Sequence, residues 1–253
     1  MKKFTSNKIF LRICGFVLFC LLWFVVSEII QQKTFILPGP IETFKYMFEL
    51  LQKPYIYNCI GTSLLNMIIG FTYSFIVAFI LGIISGNNYH FKEMLVVPMT
   101  AMKSVPTASL VYLILMFAGI IKVPIYIVML VCIPIIYEAV VSGIENIDEV
   151  YLDALKIMNV GIINANVKIK IPLAMPYILV GISSSFALSF KIEIMAEVIT
   201  GSSKLGLGSA IATSQRVDPT NMVPIFAYSL FAIILMVIID TIISYLKKKI
   251  VRL

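Results

Sequence analysis

The chain has 253 residues, 60% of them hydrophobic and 13% charged, with a net charge of +7. Soluble domains are about 45–50% apolar and about 25% charged, and at a mean hydropathy of +1.00 there is too little polar surface to cover a core in water. A soluble globular protein, a disordered protein and a disulfide scaffold are therefore excluded, leaving an all-α membrane protein, one domain of packed transmembrane helices.

A bilayer core of about 30 Å takes about 20 apolar residues per helix. Six stretches qualify: 9–30, 60–84, 94–117, 123–142, 173–199 and 223–246. The first is too long for the apolar part of a cleaved signal peptide, and no small-residue cleavage site follows it. An even number of spans puts both termini on one side. With the termini inside, the inner segments carry Lys2, Lys3, Lys8, Lys92, Lys156, Lys168, Lys170, Lys247, Lys248, Lys249 and Arg252. The outer segments carry only Lys33, Lys45, Lys53, Lys122, Lys204 and Arg216. This bias predicts cytoplasmic termini, and the basic tail directly after the last span strengthens it. Basic residues so placed at span ends read as topology, not as a nucleic-acid surface. Cys14, Cys20, Cys59 and Cys132 have no C-x-x-C spacing and read as buried free thiols.

Between the first two spans, Pro38 and Pro40 precede Ile41, Phe44, Phe48 and Leu51 at helical spacing. This predicts a short amphipathic helix on the outer face, either on the bilayer surface or as a lid on the bundle. The short 118–122 connection makes spans three and four a tight hairpin. The inner segment 143–172 is longer than topology requires. Asn146 and Glu149 resemble a capping box with Asn as its first member. Tyr151, Ala154, Leu155 and Met158 then form an apolar stripe, and a second helical run closes at Pro172. Such a stripe on a cytoplasmic loop calls for a partner surface or for its own bundle.

In this loop, YLDALKIMNVGIINANVKIKIPLAMPYI resembles the EAA signature of permease subunits in bacterial ATP-binding-cassette importers. Asp153, Ala154 and Leu155 stand at its Glu-Ala-Ala, Asn159 at its glycine, and Ile169, Ile171 and Pro172 at its Ile-x-Leu-Pro. The spacing is kept throughout. Asp retains the carboxylate, and Asn is the residue after glycine that best accepts a left-handed turn. Three further segments are similar to the sulfonate/nitrate/taurine branch: ILPGPIETF, KSVPTASL with Lys103 and Pro106, and MAEVITGSSKLGLGSAI with Glu197, Gly206 and Gly208.

The resemblance implies the type I importer permease fold, with the loop helix as a cytoplasmic coupling helix docked on an ATPase. Tyr151, Asp153, Ala154, Leu155, Met158, Asn159 and Pro172 are its coupling residues. It implies a homodimer or paired permease in the bacterial inner membrane, two cytoplasmic ATPase subunits and an extracytoplasmic solute-binding protein. ATP binds to the partner subunit; this chain has no G-x-x-x-x-G-K-[ST] loop and is expected to hold no cofactor or metal and to catalyse nothing. A small anion such as a sulfonate, taurine or nitrate is the implied solute, with a pyrimidine vitamin precursor open beside it.

A lone charge at the bilayer centre costs about 2.5–3.5 kcal/mol, so Lys103, Glu138, Lys191, Glu193, Glu197 and Asp240 must face protein or water. Glu193 and Glu197 share a helix face, and Lys191 points elsewhere. Lys103, Lys191, Glu193 and Glu197 are expected either to line the translocation path or to hold helices together. Glu138 and Asp240, near the inner span ends, read as snorkelling. Gly181, Ser185 and Ser189 allow close helix approach. Gly206 and Gly208 are expected to make an unusual turn at an outer gate. The rival is a self-sufficient secondary transporter using the intramembrane carboxylates, which leaves the long loop without a purpose.

Overall fold

The computed structural model describes residues 2–31, 37–201 and 205–250. Lys33, Lys204 and Arg252 lie outside the described residues, as do the side chains of Lys2, Lys3, Lys8, Arg12 and Lys247–Lys249. Among the described residues the structure is all-helical: α1 (Lys2–Gln31), α2 (Pro40–Leu51), α3 (Pro54–Asn87), α4 (Tyr89–Ser104), α5 (Thr107–Ala118), α6 (Val123–Glu145), α7 (Glu149–Ile157), α8 (Ile162–Ala165), α9 (Ile171–Thr200), α10 (Leu207–Val217) and α11 (Val223–Ile250).

The centre of the fold is α6 between α3 and α9. On α3, Gly70, Ser74, Ala78, Gly82 and Gly86 line up every fourth residue, and the backbones approach because nothing larger intervenes. A Cβ on Gly70 would meet Val128, on Gly82 Val140, and on Gly86 Ile144. These pairs advance together, so α3 and α6 run parallel. On the other side, Gly143 faces Ala174, Gly181 faces Ala139, and the Cys132 thiol reaches the Ser185 carbonyl at 3.5 Å. That register is antiparallel. Of the predicted small-residue run, Gly181 and Ser185 thus pack inside the chain, against α6, and Ser189 is buried.

Parallel α3 and α6 require residues 88–122 to bring the chain back along the bundle. They do so as a bent pair, not as the single helix expected over 94–117. α4 and α5 meet at 102° across Val105 and Pro106. Proline disfavours the α conformation in the residue before it, and Val105 is accordingly extended (φ −72°, ψ 128°). Among the described residues, five helices are long and apolar enough to cross a membrane, or six if the bent pair counts as one.

One core cluster joins α3, α5, α6 and α9 around Val111, Ile127, Ile136, Val140, Ile178 and Ala196. A second gathers α2, α3, α9, α10 and α11 around Leu50, Ile56, Met67, Phe190, Leu207 and Phe231. The helix expected over 41–53 is α2, seated on the end of the bundle opposite α7. Its buried face is Pro40, Thr43, Met47 and Leu50, one position round from the stripe read in the sequence, and Ile41 and Phe48 are exposed. α1 is peripheral, tied by Trp23, whose indole N–H donates to the Pro38 carbonyl at 3.2 Å and whose ring stacks on Phe226. Of the cysteines, Cys59 and Cys132 are buried as expected, whereas Cys14 is exposed and Cys20 half-buried. α10 has no counterpart in the sequence reading, because only its buried face, with Leu207, Gly208, Ser209, Ala210 and Ala212, carries the apolar signal.

Candidate functional site

At one end of the bundle, α7 begins at Asp148, whose carboxylate accepts the Val150 N–H at 3.0 Å. The expected capping box of Asn146 and Glu149 does not form. Asn146 instead ends α6, its side-chain amide donating to the Ser142 carbonyl at 2.7 Å. The helix is closed by Asn159 at φ 48°, the one non-glycine residue with positive φ among those described. The Val160 N–H donates to Leu155 O at 3.3 Å and the Asn159 N–H to Lys156 O at 3.1 Å. This is a Schellman stop with asparagine at the left-handed position. Lys156 bonds Asp153 at 2.9 Å, and that hydrogen bond raises the Lys156 ammonium above its ordinary value.

Of the stripe, only Leu155 is buried. Tyr151 and Met158 are exposed, together with Val150, Ile157, Ile162 and Ile163. Ala154 is exposed too. α7 therefore shows more apolar surface than it buries. Pro172 does not close a second helix. It lies inside a helical path unbroken from Ile162 to Thr200, where the π-helical turn at Asn166–Lys170 passes into α9.

At the opposite end, Glu197 draws three helices together. Its Oε2 accepts from Ser63 Oγ of α3 at 2.8 Å and from the Gly208 N–H of α10 at 2.9 Å. Ser63 Oγ in turn accepts the Leu207 N–H at 2.9 Å. The two glycines are explained by this carboxylate and not by the unusual turn expected of them. Gly206 is extended (φ 161°, ψ 151°). A side chain there would run into the Glu197 carboxylate, and one on Gly208 into the Ile194 carbonyl and Glu197 Cβ. Glu193, one turn away, is fully buried, and neither of its carboxylate oxygens meets a donor among the described residues. Both glutamates thus lie inside the bundle.

The remaining charges face outward. Lys103 of α4 and Glu138 of α6, read separately in the sequence, pair at 2.6 Å with both side chains about half exposed. Lys191 is exposed on α9, on one stripe with Tyr177, Val180 and Ser184, and makes no ion pair among the described residues. Asp240 is exposed on α11. Ser63, which holds Glu197, and Glu138 as the partner of Lys103 escaped the sequence reading, since a serine or a glutamate in an apolar helix carries no periodic signal of what it faces.

Residues 78–252 match the family described as "Binding-protein-dependent transport system inner membrane component". The chain belongs to this family. As a permease component it is a membrane-embedded transport subunit and not an enzyme. The matched region takes in the bent pair α4–α5, the α7 segment, Glu197 and both glycines, and leaves out α1, α2 and most of α3. The fold is shared with a chain of the inward-facing MetNI methionine ABC transporter in its CY5 native crystal form, at a TM-score of 0.66 and 15% identity, over 78% of this chain and 95% of that one. The same transporter in its CY5 SeMet soak form matches at a TM-score of 0.61 and 16% identity, over 81% and 96% of the two chains. No curated protein matches the sequence.

Proposed function

We propose that this permease belongs to an ATP-driven ABC importer and works as a homodimer or with a second permease. Two cytoplasmic ATPase subunits and an extracytoplasmic solute-binding protein complete the complex, in the bacterial plasma membrane, with six spans and cytoplasmic termini. The observation that carries this reading is α7. It is a short helix capped at both ends and set between two long apolar helices, and it turns Tyr151, Ile157 and Met158 away from its own bundle. Apolar side chains so displayed outside the bilayer call for a partner.

α7 then acts as the coupling helix. Tyr151, Ala154 and Met158 seat it in a groove of the ATPase, Leu155 anchors it to its own bundle, and Asp153 fixes Lys156 beside them. Asn159 reverses the chain, and the helix runs on through Pro172 into α9. Closure of the ATPase pair moves α7, and the bundle changes from inward-open to outward-open. Glu197, Gly206 and Gly208 form the outer gate.

The charges support a small anion such as a sulfonate, taurine or nitrate as the solute. Glu193 and Glu197 are buried and Lys103 is compensated by Glu138, so among the described residues Lys191 is the cation on the exposed face of α9 without a carboxylate partner, with Asp240 exposed on α11. At membrane depth such a cation needs water or a polar partner, which a pathway shared between two permeases provides.

Met158→Asp tests the coupling reading. The variant is expected to lose copurification of the ATPase and solute uptake while its melting in detergent stays near wild type, because Met158 is exposed and a surface substitution usually shifts stability by no more than about 0.5 kcal/mol. Retained copurification and uptake would sink it. A secondary transporter would come out of the membrane alone and work in liposomes without ATP.

A further inference from the structure

We infer that Asn87, Asn166 and Lys170 form the joint that passes the displacement of α7 to α9, and that they are positioning residues for transport. The inference rests on the reading of α7 as the docking element. Between α7 and the long apolar helix the chain does not run as a loose loop; from Ile162 to Thr200 it is helical throughout. Its winding changes in one place. Asn166–Lys170 is a π-helical turn, with the Ile171 N–H reaching back to the Asn166 carbonyl. Such under-wound turns are rare and concentrate at functional positions, because a helix can change its winding there by exchanging one hydrogen bond for another.

Both ends of this turn are tied to a single residue on another helix. Asn87, in the last turn of α3, donates its side-chain amide to Asn166 Oδ1 at 2.9 Å and accepts from Lys170 Nζ at 2.6 Å. The same amide also donates to the Ile83 carbonyl at 2.7 Å, which holds Asn87 against its own helix. Asn166 is buried and Lys170 half-buried, and Lys170 meets no carboxylate among the described residues. The latch therefore measures the winding of the turn against α3, which is locked in step with α6. Between the latch and α7 lies a cleft of about 280 Å³, bordered by Asn87, Leu155, Asn159 and Lys170. α7 thus has room to move, and the latch decides how much of that movement reaches α9.

The test uses the complex purified with its ATPase, with Cys14 and Cys20 replaced by alanine and Val180→Cys, exposed on α9, as a reporter. ATP hydrolysis is measured beside the change in maleimide labelling of the reporter on trapping with ATP and vanadate. Lys170→Met is expected to leave hydrolysis within about twofold and to cut the labelling change about tenfold, while Lys170→Arg restores it. Asn87→Leu is expected to act as Lys170→Met does, and it carries the test if the lysine variant does not assemble. A wild-type labelling change in both variants, or hydrolysis and labelling falling in the same proportion in Lys170→Met and Lys170→Arg alike, overturns the joint. Met158→Asp, run beside them, separates the two readings: if it keeps its ATPase and its labelling change, the docking role of α7 fails, whereas a failure confined to the latch variants removes the joint alone.

Discussion

Single residues at the end opposite α7 are held by one carboxylate. Glu197 satisfies a hydroxyl of α3 and a backbone N–H of α10 at once, and removing either partner leaves a buried polar group without its bond. Ser63→Ala strips the carboxylate and the Leu207 N–H together and is expected to destabilise the protein by about 1–3 kcal/mol, measured by thermal unfolding in detergent. Gly208→Val is expected to be worse, since its side chain meets the α9 backbone, which cannot yield as a flexible side chain does. Asn159 makes the opposite case. Gly at that position is expected to be as stable as wild type or slightly better, whereas Val places a branched side chain at φ 48° and is expected to cost about 1–2 kcal/mol in the same assay. Asn159 was legible from the sequence because one local conformation decides the residue type there. The glycines were legible as special but not for the right reason, since what they make room for is 9 and 11 positions back along the chain and folds against them.

At the scale of the element, the positions of α3, α6, α9 and α11 follow from hydropathy, because a helix that must cross an apolar layer declares itself by composition. The bent pair does not. KSVPTASL lies within an apolar run, and a window averages over the one residue, Val105, that the following proline forces out of the helix. The rule was available, yet Pro98, Pro134 and Pro176 sit inside helices that continue. A proline breaks a helix where its neighbours do not compensate, and only the packing tells which one that is. Pro172 misled in the same way: it reads as a stop, and the helix runs on through it. α2 shows a subtler limit. Ile41, Phe44, Phe48 and Leu51 are a plausible apolar face, but a helix seated beside a membrane has two apolar surroundings, and the tertiary contact chose the Met47 and Leu50 side.

For the molecule as a whole, the parallel register of α3 and α6 settles the path of the chain. It returns between them through α4 and α5, so α7 and α10 lie at opposite ends of the bundle. Single cysteines at Ile157 and Val217, both strongly exposed, are therefore expected to react with a membrane-impermeant maleimide from opposite sides, Ile157→Cys only in inverted vesicles and Val217→Cys only in intact cells. Labelling of both from one side would contradict this topology. The fold class, the permease family and the turn that closes α7 were written in composition and in the spacing of 153–172, since membrane insertion and local turns are governed by neighbours in sequence. Which charges pair, which are buried and which face outward was decided by the tertiary structure alone. Lys103 with Glu138, Ser63 with Glu197, and Asn87 with Asn166 and Lys170 are each brought together by helix register, and register is set by close packing between distant segments, for which a single sequence holds no local record.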